Sequence, residues 1–79
     1  MKVKVKLFGT LNQRVPGYDF QNGVEMNLEE GARVGDLLAL LGFADRAKPV
    51  VTIDGLIRSP QDELAEGTVV NVFQAVYGG

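Results

Sequence analysis

The sequence predicts one α+β domain over residues 1–79, in which a sheet is covered on one face by a single helix. Two segments alternate strictly between apolar and polar residues, which is the period of a half-buried strand. A third segment repeats its apolar residues at helical spacing, and the other apolar runs are short and bounded by turn residues. With 79 residues, of which 46% are hydrophobic, the chain is large enough for one modest core and too small for two.

The first two strands are predicted from this alternation. In residues 2–8 valine and leucine alternate with three lysines, and in residues 24–28 apolar residues alternate with glutamate and asparagine. Because successive side chains of a strand point to opposite faces, each segment has one buried and one exposed face. The long connection, residues 9–23, contains a Pro-Gly and an Asn-Gly turn signal, and we expect a short helical turn around Leu11 within it.

The helix is predicted where apolar residues recur at the spacing of one helix face. These residues are Val34, Leu37, Leu38 and Leu41. Gly42 is placed to end the helix, since glycine readily takes the left-handed conformation of a C-terminal cap. At the start, Arg33 stands where a capping hydroxyl or carboxylate is usual, although Asp36 in the first turn suits the helix dipole.

The second half of the chain predicts three further strands. Residues 49–53 and 56–58 flank an Asp-Gly turn and should form a hairpin. Leu64 is the one large apolar residue in a polar stretch, so we expect it to fill the core before the final strand, residues 68–74. The predicted order is therefore β-β-α-β-β-β.

Composition excludes several classes of function. The chain has no cysteine and no histidine, which removes disulfides, the usual transition-metal ligands and the common catalytic triads. We therefore expect no metal site, no bound cofactor and no side-chain catalytic site. A net charge of −2 disfavours nucleic acid, and the absence of a long apolar run or a signal-like N-terminus predicts a cytoplasmic protein with no membrane partner.

The C-terminal glycine pair is the candidate reactive site. Gly78 and Gly79 follow directly after the last predicted strand, and about residues 75–79 should form a flexible tail. Two glycines offer no side chain that would hinder threading into a narrow tunnel, and they end in a carboxylate. The alternative is a disordered tail without function, as is common at chain ends.

Phe8 and Phe73 are the candidate docking residues. Each lies on the polar face of its predicted strand, and if these two strands are parallel neighbours, both rings stand at the end from which the tail leaves. An exposed apolar patch beside a reactive tail indicates a docking surface. The alternative is that the connection 9–23 or the helix covers one of the rings. The lysine stripe and the acidic pairs are interpreted as solvated surface.

The chain resembles the ubiquitin-like β-grasp sulfur carriers, which include MoaD, the small subunit of molybdopterin synthase, and ThiS of the thiamin pathway. The resemblance spans the whole chain, and it rests on the element order together with five short motifs. The motifs are Val-Lys-Leu-Phe-Gly-Thr-Leu at 5–11, Val-Gly-Asp-Leu-Leu at 34–38, Val-x-Ile-Asp-Gly at 51–55, Leu-x-x-Gly at 64–67 and Val-x-Gly-Gly at 76–79. Arg33 and Thr68 depart from the family pattern, which concerns local stability more than chemistry.

The resemblance implies a mixed sheet and a specific chemistry at Gly79. In such proteins an activating enzyme uses ATP to adenylate the terminal carboxylate, and a sulfur donor converts it to a thiocarboxylate. The chain would then be a carrier or a small non-catalytic subunit, and ATP would be used by its partner. Family docking through an apolar patch implies that Phe8, Leu56 and Phe73 bind the partner.

The length and the long first connection favour the molybdopterin or tungstopterin branch, with the large synthase subunit as partner. The Gln-Ala-Val segment before the glycines is closer to the ThiS-like branch, whose partner is a thiazole synthase. Two other classes stay open: a ubiquitin-like modifier that joins Gly79 to lysines of other proteins, and a binding module whose tail is inert.

Overall fold

The computed structural model of the protein describes residues 1–43 and 49–74. The predicted order of elements is confirmed. The elements are β1 (Lys2–Leu7), a 3-10 helix (Gly9–Arg14), β2 (Val24–Asn27), α1 (Val34–Leu41), β3 (Val50–Ile53), β4 (Leu56–Arg58) and β5 (Val69–Phe73). The predicted tail, about residues 75–79, lies outside the described residues, and so do Gly78 and Gly79.

The five strands form one mixed sheet in the order β2-β1-β5-β3-β4. The two central strands, β1 and β5, are parallel, and the other pairs are antiparallel. A central position explains the composition of these strands, because their inward valines have no access to solvent: Val5 and Val70 are both 0% exposed. The predicted sheet with one covering helix is therefore confirmed. The parallel pairing of the first and last strands, which was the condition for Phe8 and Phe73 to meet, is observed.

The core fills the space between the helix and one face of the sheet. Its alternating strand residues and the helical stripe are those expected from the sequence, and Leu64 fills the core as predicted, at 7% exposure. Leu41, at the end of the predicted stripe, is only half-buried. The buried residues are Val3, Val5, Leu7, Leu11, Leu28, Val34, Leu37, Leu38, Phe43, Val51, Ile53, Leu64, Val70 and Val72.

The first turn of α1 is capped by backbone carbonyl groups from a distant part of the chain. The backbone N–H of Val34 donates to the Asp62 carbonyl at 2.9 Å, and that of Gly35 donates to the Pro60 carbonyl at 2.9 Å. Because these carbonyls satisfy free N–H groups of the first turn, no side-chain cap is required at Arg33. Gly35 suits this approach, since a Cβ there would lie 3.2 Å from the Pro60 oxygen.

The end of α1 is a Schellman motif, as Gly42 predicted. Gly42 has φ +82°, and the N–H of Phe43 donates to the Leu38 carbonyl at 2.9 Å. The hydrophobic residue that follows this glycine turns back into the protein, and Phe43 is fully buried. The guanidinium of Arg14 stands over its ring, 5.3 Å from the centroid, which ties the 3-10 helix to the end of α1.

The long connection between β1 and β2 is anchored by its apolar and aromatic residues. Leu11 is buried within the predicted helical turn, which is confirmed as the 3-10 helix. The Tyr18 hydroxyl accepts a 2.8 Å hydrogen bond from the N–H of Leu7 at the end of β1. Gly23 ends the connection with φ +71°, where a Cβ would lie 2.4 Å from the Val5 carbonyl oxygen. Glycine is therefore required at position 23.

No helix in the described ranges, 1–43 and 49–74, has the length and apolar character needed to cross a membrane.

Candidate functional site

The parallel pairing of the two central strands places Phe8 beside Phe73. Leu7 is opposite Val72 in this register, so Phe8 and Phe73, the residues that follow them, are neighbours on the outer face. The N–H of Phe8 donates to the Val72 carbonyl at 3.0 Å, which extends the pairing one residue beyond β1. The predicted meeting of both rings at one end of the sheet is thus observed.

The two rings stack on each other and remain partly open to solvent. Their centroids are 4.6 Å apart with an interplanar angle of 12°. Phe8 is 40% exposed and Phe73 is 37% exposed, so neither the connection 9–23 nor the helix covers them. The prediction that both rings are exposed is confirmed. Stacking holds them in a fixed orientation before any partner binds, which lowers the entropic cost of docking.

A third apolar residue continues this surface across the sheet. Val50 is paired with Phe73 and is 37% exposed on the same face. We call Phe8, Phe73 and Val50 the aromatic row. Ile57 lies farther along this face on the edge strand β4, opposite Thr52, and is 77% exposed.

Leu56 occupies a different part of the surface. It is paired with the buried Ile53 and therefore lies on the helix-covered face of the sheet, opposite to the aromatic row. At the edge strand this position leaves it 62% exposed. The structure brings Phe8 and Phe73 together and does not bring Leu56 to them, and a role for Leu56 in partner binding stays a prediction.

The chain leaves the sheet next to the aromatic row. Gln74, the last described residue, lies beside the corner formed by Gly9 and Thr10, and the Thr10 hydroxyl donates to the Gln74 side-chain oxygen. Gly9 has φ +68°, and a Cβ there would be 3.8 Å from the Gln74 Cβ. Gln74 therefore lies at the end of the sheet where the two rings are exposed.

A basic residue lies close to the aromatic row. Lys6 is paired with Asn71 on the outer face, two residues before Phe8. Within the described part of the chain, no cluster of acidic residues could hold a metal ion. Because the sequence contains no cysteine or histidine, this surface carries neither a thiol nor an imidazole.

Comparison with known proteins identifies the family. The profile of the ThiS family matches residues 5–79, which is nearly the whole chain. The chain belongs to the ThiS family. A structure from Pyrococcus furiosus, described as a candidate molybdopterin converting factor, subunit 1, is 30% identical, with a TM-score of 0.74 over 96% of this chain and 99% of that one.

Two structures from Haloferax volcanii have the same fold. SAMP1 is 24% identical, with a TM-score of 0.75 over 100% of both chains. A second structure, of small archaeal modifier protein 1, is 21% identical, with a TM-score of 0.74 over 95% of this chain and 98% of that one. The comparison with curated proteins found no match. The fold of this ThiS family member is thus the ubiquitin-like β-grasp.

Sequence reasoning missed three exposed apolar residues of the outer face, Val50, Ile57 and Val69. The signal for Val50 was available, because it alternates with the buried Val51 and Ile53 just as Phe8 alternates with Leu7. Ile57 was harder to place, since β4 has only three residues and its burial pattern shows no alternation.

Proposed function

We propose that this ThiS family member is a sulfur carrier for molybdopterin or tungstopterin synthesis. An activating enzyme adenylates the carboxylate of Gly79, a sulfur donor converts it to a thiocarboxylate, and the large subunit of a synthase receives the sulfur. The observation that carries this proposal is the family match, which extends through residue 79 and includes the glycine pair.

The chemistry requires the chain to be a substrate of its partner. A carboxylate is a poor electrophile, so the Gly79 oxygen first attacks the α-phosphorus of ATP and pyrophosphate leaves. A sulfide-level donor then attacks the carbonyl carbon of the acyl-adenylate, AMP leaves, and the thiocarboxylate remains. The carrier contributes the carboxylate and a docking surface, while the partner contributes catalysis. This division agrees with a chain that contains no cysteine or histidine.

The aromatic row is the docking surface in this proposal. It presents a fixed apolar patch next to the point where residues 75–79 begin, so one interface can hold the domain while the tail enters a partner's active site. The absence of side chains on Gly78 and Gly79 suits a narrow channel. The same surface would serve the activating enzyme and the synthase in turn, because the tail must be presented to both.

The choice of branch rests on one comparison. The Pyrococcus furiosus protein described as a candidate molybdopterin converting factor, subunit 1, is 30% identical over nearly the full length of both chains. The thiamin branch is the alternative. The test is to supply purified synthase large subunit or thiazole synthase with thiocarboxylated protein and to measure which product forms.

Alkylation tests the thiocarboxylate itself. Because the chain has no cysteine and its two methionines are thioethers, a thiocarboxylate at Gly79 would be its only ionisable sulfur. Protein incubated with activating enzyme, ATP and a sulfur donor should accept one iodoacetamide group, and fragmentation should locate it at Gly79. Intact mass is insufficient, since exchanging oxygen for sulfur adds nearly the same mass as oxidising a methionine. Protein that stays unlabelled under these conditions contradicts the proposal.

A ubiquitin-like modifier is the second candidate function. It is favoured by the fold shared with SAMP1 and small archaeal modifier protein 1. In that case Gly79 would be recovered from native cells in amide linkage to lysines of other proteins. Peptide mapping of conjugates after tryptic digestion distinguishes this outcome from a free thiocarboxylate. If neither product forms with the cognate activating enzyme present, an inert binding module is left.

A further inference from the structure

A groove of about 660 Å³ lies at the edge of the domain, between the end of β2 and the helix. Asp36, Ala39 and Leu40 form its helical wall, since they are spaced to share one face of α1. Residues 27–32 form the other wall. Leu40 is 67% exposed here, which is unusual for a leucine on a helix that packs on a sheet. We call this feature the β2 groove.

The β2 groove lies beside an open sheet edge. In the part of the chain that the structure describes, β2 is the first strand of the sheet and pairs only with β1. Met1 and Leu28 exchange both backbone hydrogen bonds, at 2.9 and 2.8 Å, and in an antiparallel pair such exchanges recur at every second residue. The backbone groups of Glu25 and Asn27 therefore point away from β1, toward the free edge. An extended segment could hydrogen-bond to them as an added strand.

The charges around the β2 groove define the kind of segment that fits. Glu29, Glu30 and Asp36 line the groove, and among the described residues none that lines it is basic. The protein itself shows how β2 accepts a basic strand. On its inner edge β2 pairs with β1, whose sequence is Lys-Val-Lys-Val-Lys-Leu, and the Lys2 ammonium lies 3.6 Å from the Glu25 carboxylate.

We propose that the β2 groove binds an extended segment of a partner protein in which basic and apolar residues alternate. In an added strand, side chains on the helix-covered face would enter the groove beside Leu40, so these are apolar. Side chains of the added strand on the other face would lie beside Glu25, so we expect them to be basic. Side chains of the segment that extend beyond the end of β2 would reach Glu29 and Glu30, so we expect these to be basic as well.

This surface is separate from the aromatic row. The β2 groove is level with the first residues of β1, whereas Phe8 follows the last residue of β1. Because six strand residues span about 20 Å, the groove and the aromatic row lie at opposite ends of this strand. A partner in the β2 groove therefore leaves the aromatic row free. The inference does not depend on the proposed sulfur chemistry.

The test is titration of the ¹⁵N-labelled full chain with a blocked peptide Lys-Val-Lys-Val-Lys-Leu. We expect saturable shifts of the Glu25, Asn27, Ala39 and Leu40 amides, and no binding of the control peptide Glu-Val-Glu-Val-Glu-Leu. Equal binding of both peptides, shifts confined to the aromatic row, or no saturable shift would overturn the proposal. Shifts at these amides that depend only on protein concentration would show that a second copy is the occupant, which also overturns it.

Matched variants locate the binding site. Leu40→Ser should weaken binding of the basic peptide about tenfold, because an apolar contact is lost. Leu56→Ser, on a leucine of similar exposure elsewhere, should leave binding unchanged. Glu30→Lys should weaken binding about fivefold and Glu63→Lys should not, since Glu63 is an exposed acid outside the groove. Equal effects of the paired variants would refute the location. Circular dichroism of each variant checks that it is folded.

Discussion

Replacing Phe73 by alanine should weaken binding of the activating enzyme and lower stability by similar amounts of free energy. The ring is 37% exposed, so it is already partly buried against Phe8 and its surroundings. A fully buried phenylalanine loses about 3 to 5 kcal/mol on truncation, and a partly buried one should lose about 2 kcal/mol, of which roughly 1 kcal/mol comes from ring stacking. An aromatic anchor of an interface contributes about 2 kcal/mol, which corresponds to a roughly 30-fold higher Kd.

The assay combines urea unfolding with calorimetric titration of the activating enzyme. Phe8→Ala, Phe73→Ala and the double variant form a thermodynamic cycle, in which the coupling free energy of unfolding should be about 1 kcal/mol because the rings touch. Phe20→Ala is the matched control. Phe20 is 75% exposed and contacts Tyr18 edge to face in the connection, away from the aromatic row.

Three results would refute this reasoning. The first is an unchanged Kd for both Phe8→Ala and Phe73→Ala. The second is a stability loss of about 4 kcal/mol or more, which is the value for a fully buried ring. The third is an equal loss of affinity in Phe20→Ala, which would show that any exposed aromatic residue contributes and that the position of the aromatic row is irrelevant.

Three further predictions concern single positions. Deleting Gly79 should abolish adenylation, because the terminal carboxylate is then about 3.5 Å closer to the domain. The deletion should leave Tm nearly unchanged, since the described core ends at residue 72. Adenylation and thermal unfolding are measured on the same protein. Gly23→Ala should lose about 2 kcal/mol or more in urea unfolding, because its Cβ would meet the Val5 oxygen at 2.4 Å with φ +71°; an unchanged midpoint contradicts this. Hydrogen bonds from the Asn22 side chain and from nearby backbone N–H groups hold the pKa of Asp19 below its usual value of 3.8. The stability it adds is therefore present above pH 3.8 and is lost as pH falls through the lowered pKa, so unfolding curves of wild type and Asp19→Asn should converge in acid.

Local patterns predicted the sheet well because they determine which face each residue occupies. The alternation of residues 2–7 placed three valine and leucine side chains in the core, and the Asp-Gly turn placed β3 against β4. The same argument, applied to the last strand, predicted that Phe73 is exposed. Strand boundaries differed by single residues. The first strand ends at Leu7, one residue earlier than predicted, because Phe8 precedes the 3-10 helix. The strands predicted at 24–28, 49–53 and 68–74 are observed at Val24–Asn27, Val50–Ile53 and Val69–Phe73.

Features that depend on distant parts of the chain could not be read from local pattern. The cap of α1 is made by carbonyls of residues 60 and 62, so the missing capping side chain at Arg33 looked like a weakness in the sequence. Phe43 is buried because the Schellman turn directs the chain back into the protein. Neither strand alternation nor helical spacing in the sequence predicts this burial. The face occupied by Leu56 is decided by its register with Ile53, which a three-residue strand cannot reveal on its own.

The two surfaces differ in how the sequence encodes them. The aromatic row depends on two residues that break a polar face, so it was visible as an exception to alternation. The β2 groove contains no exception of this kind: Leu40 lies within a helix of mostly apolar residues, and Glu29 and Glu30 resemble ordinary solvated acids. Only the topology, which leaves β2 at the edge of the sheet, brings the exposed leucine, the acids and the free backbone groups together. In a protein of this size, specificity for partners must come from such surfaces, and an open strand edge beside an acidic groove provides one that no local motif would reveal.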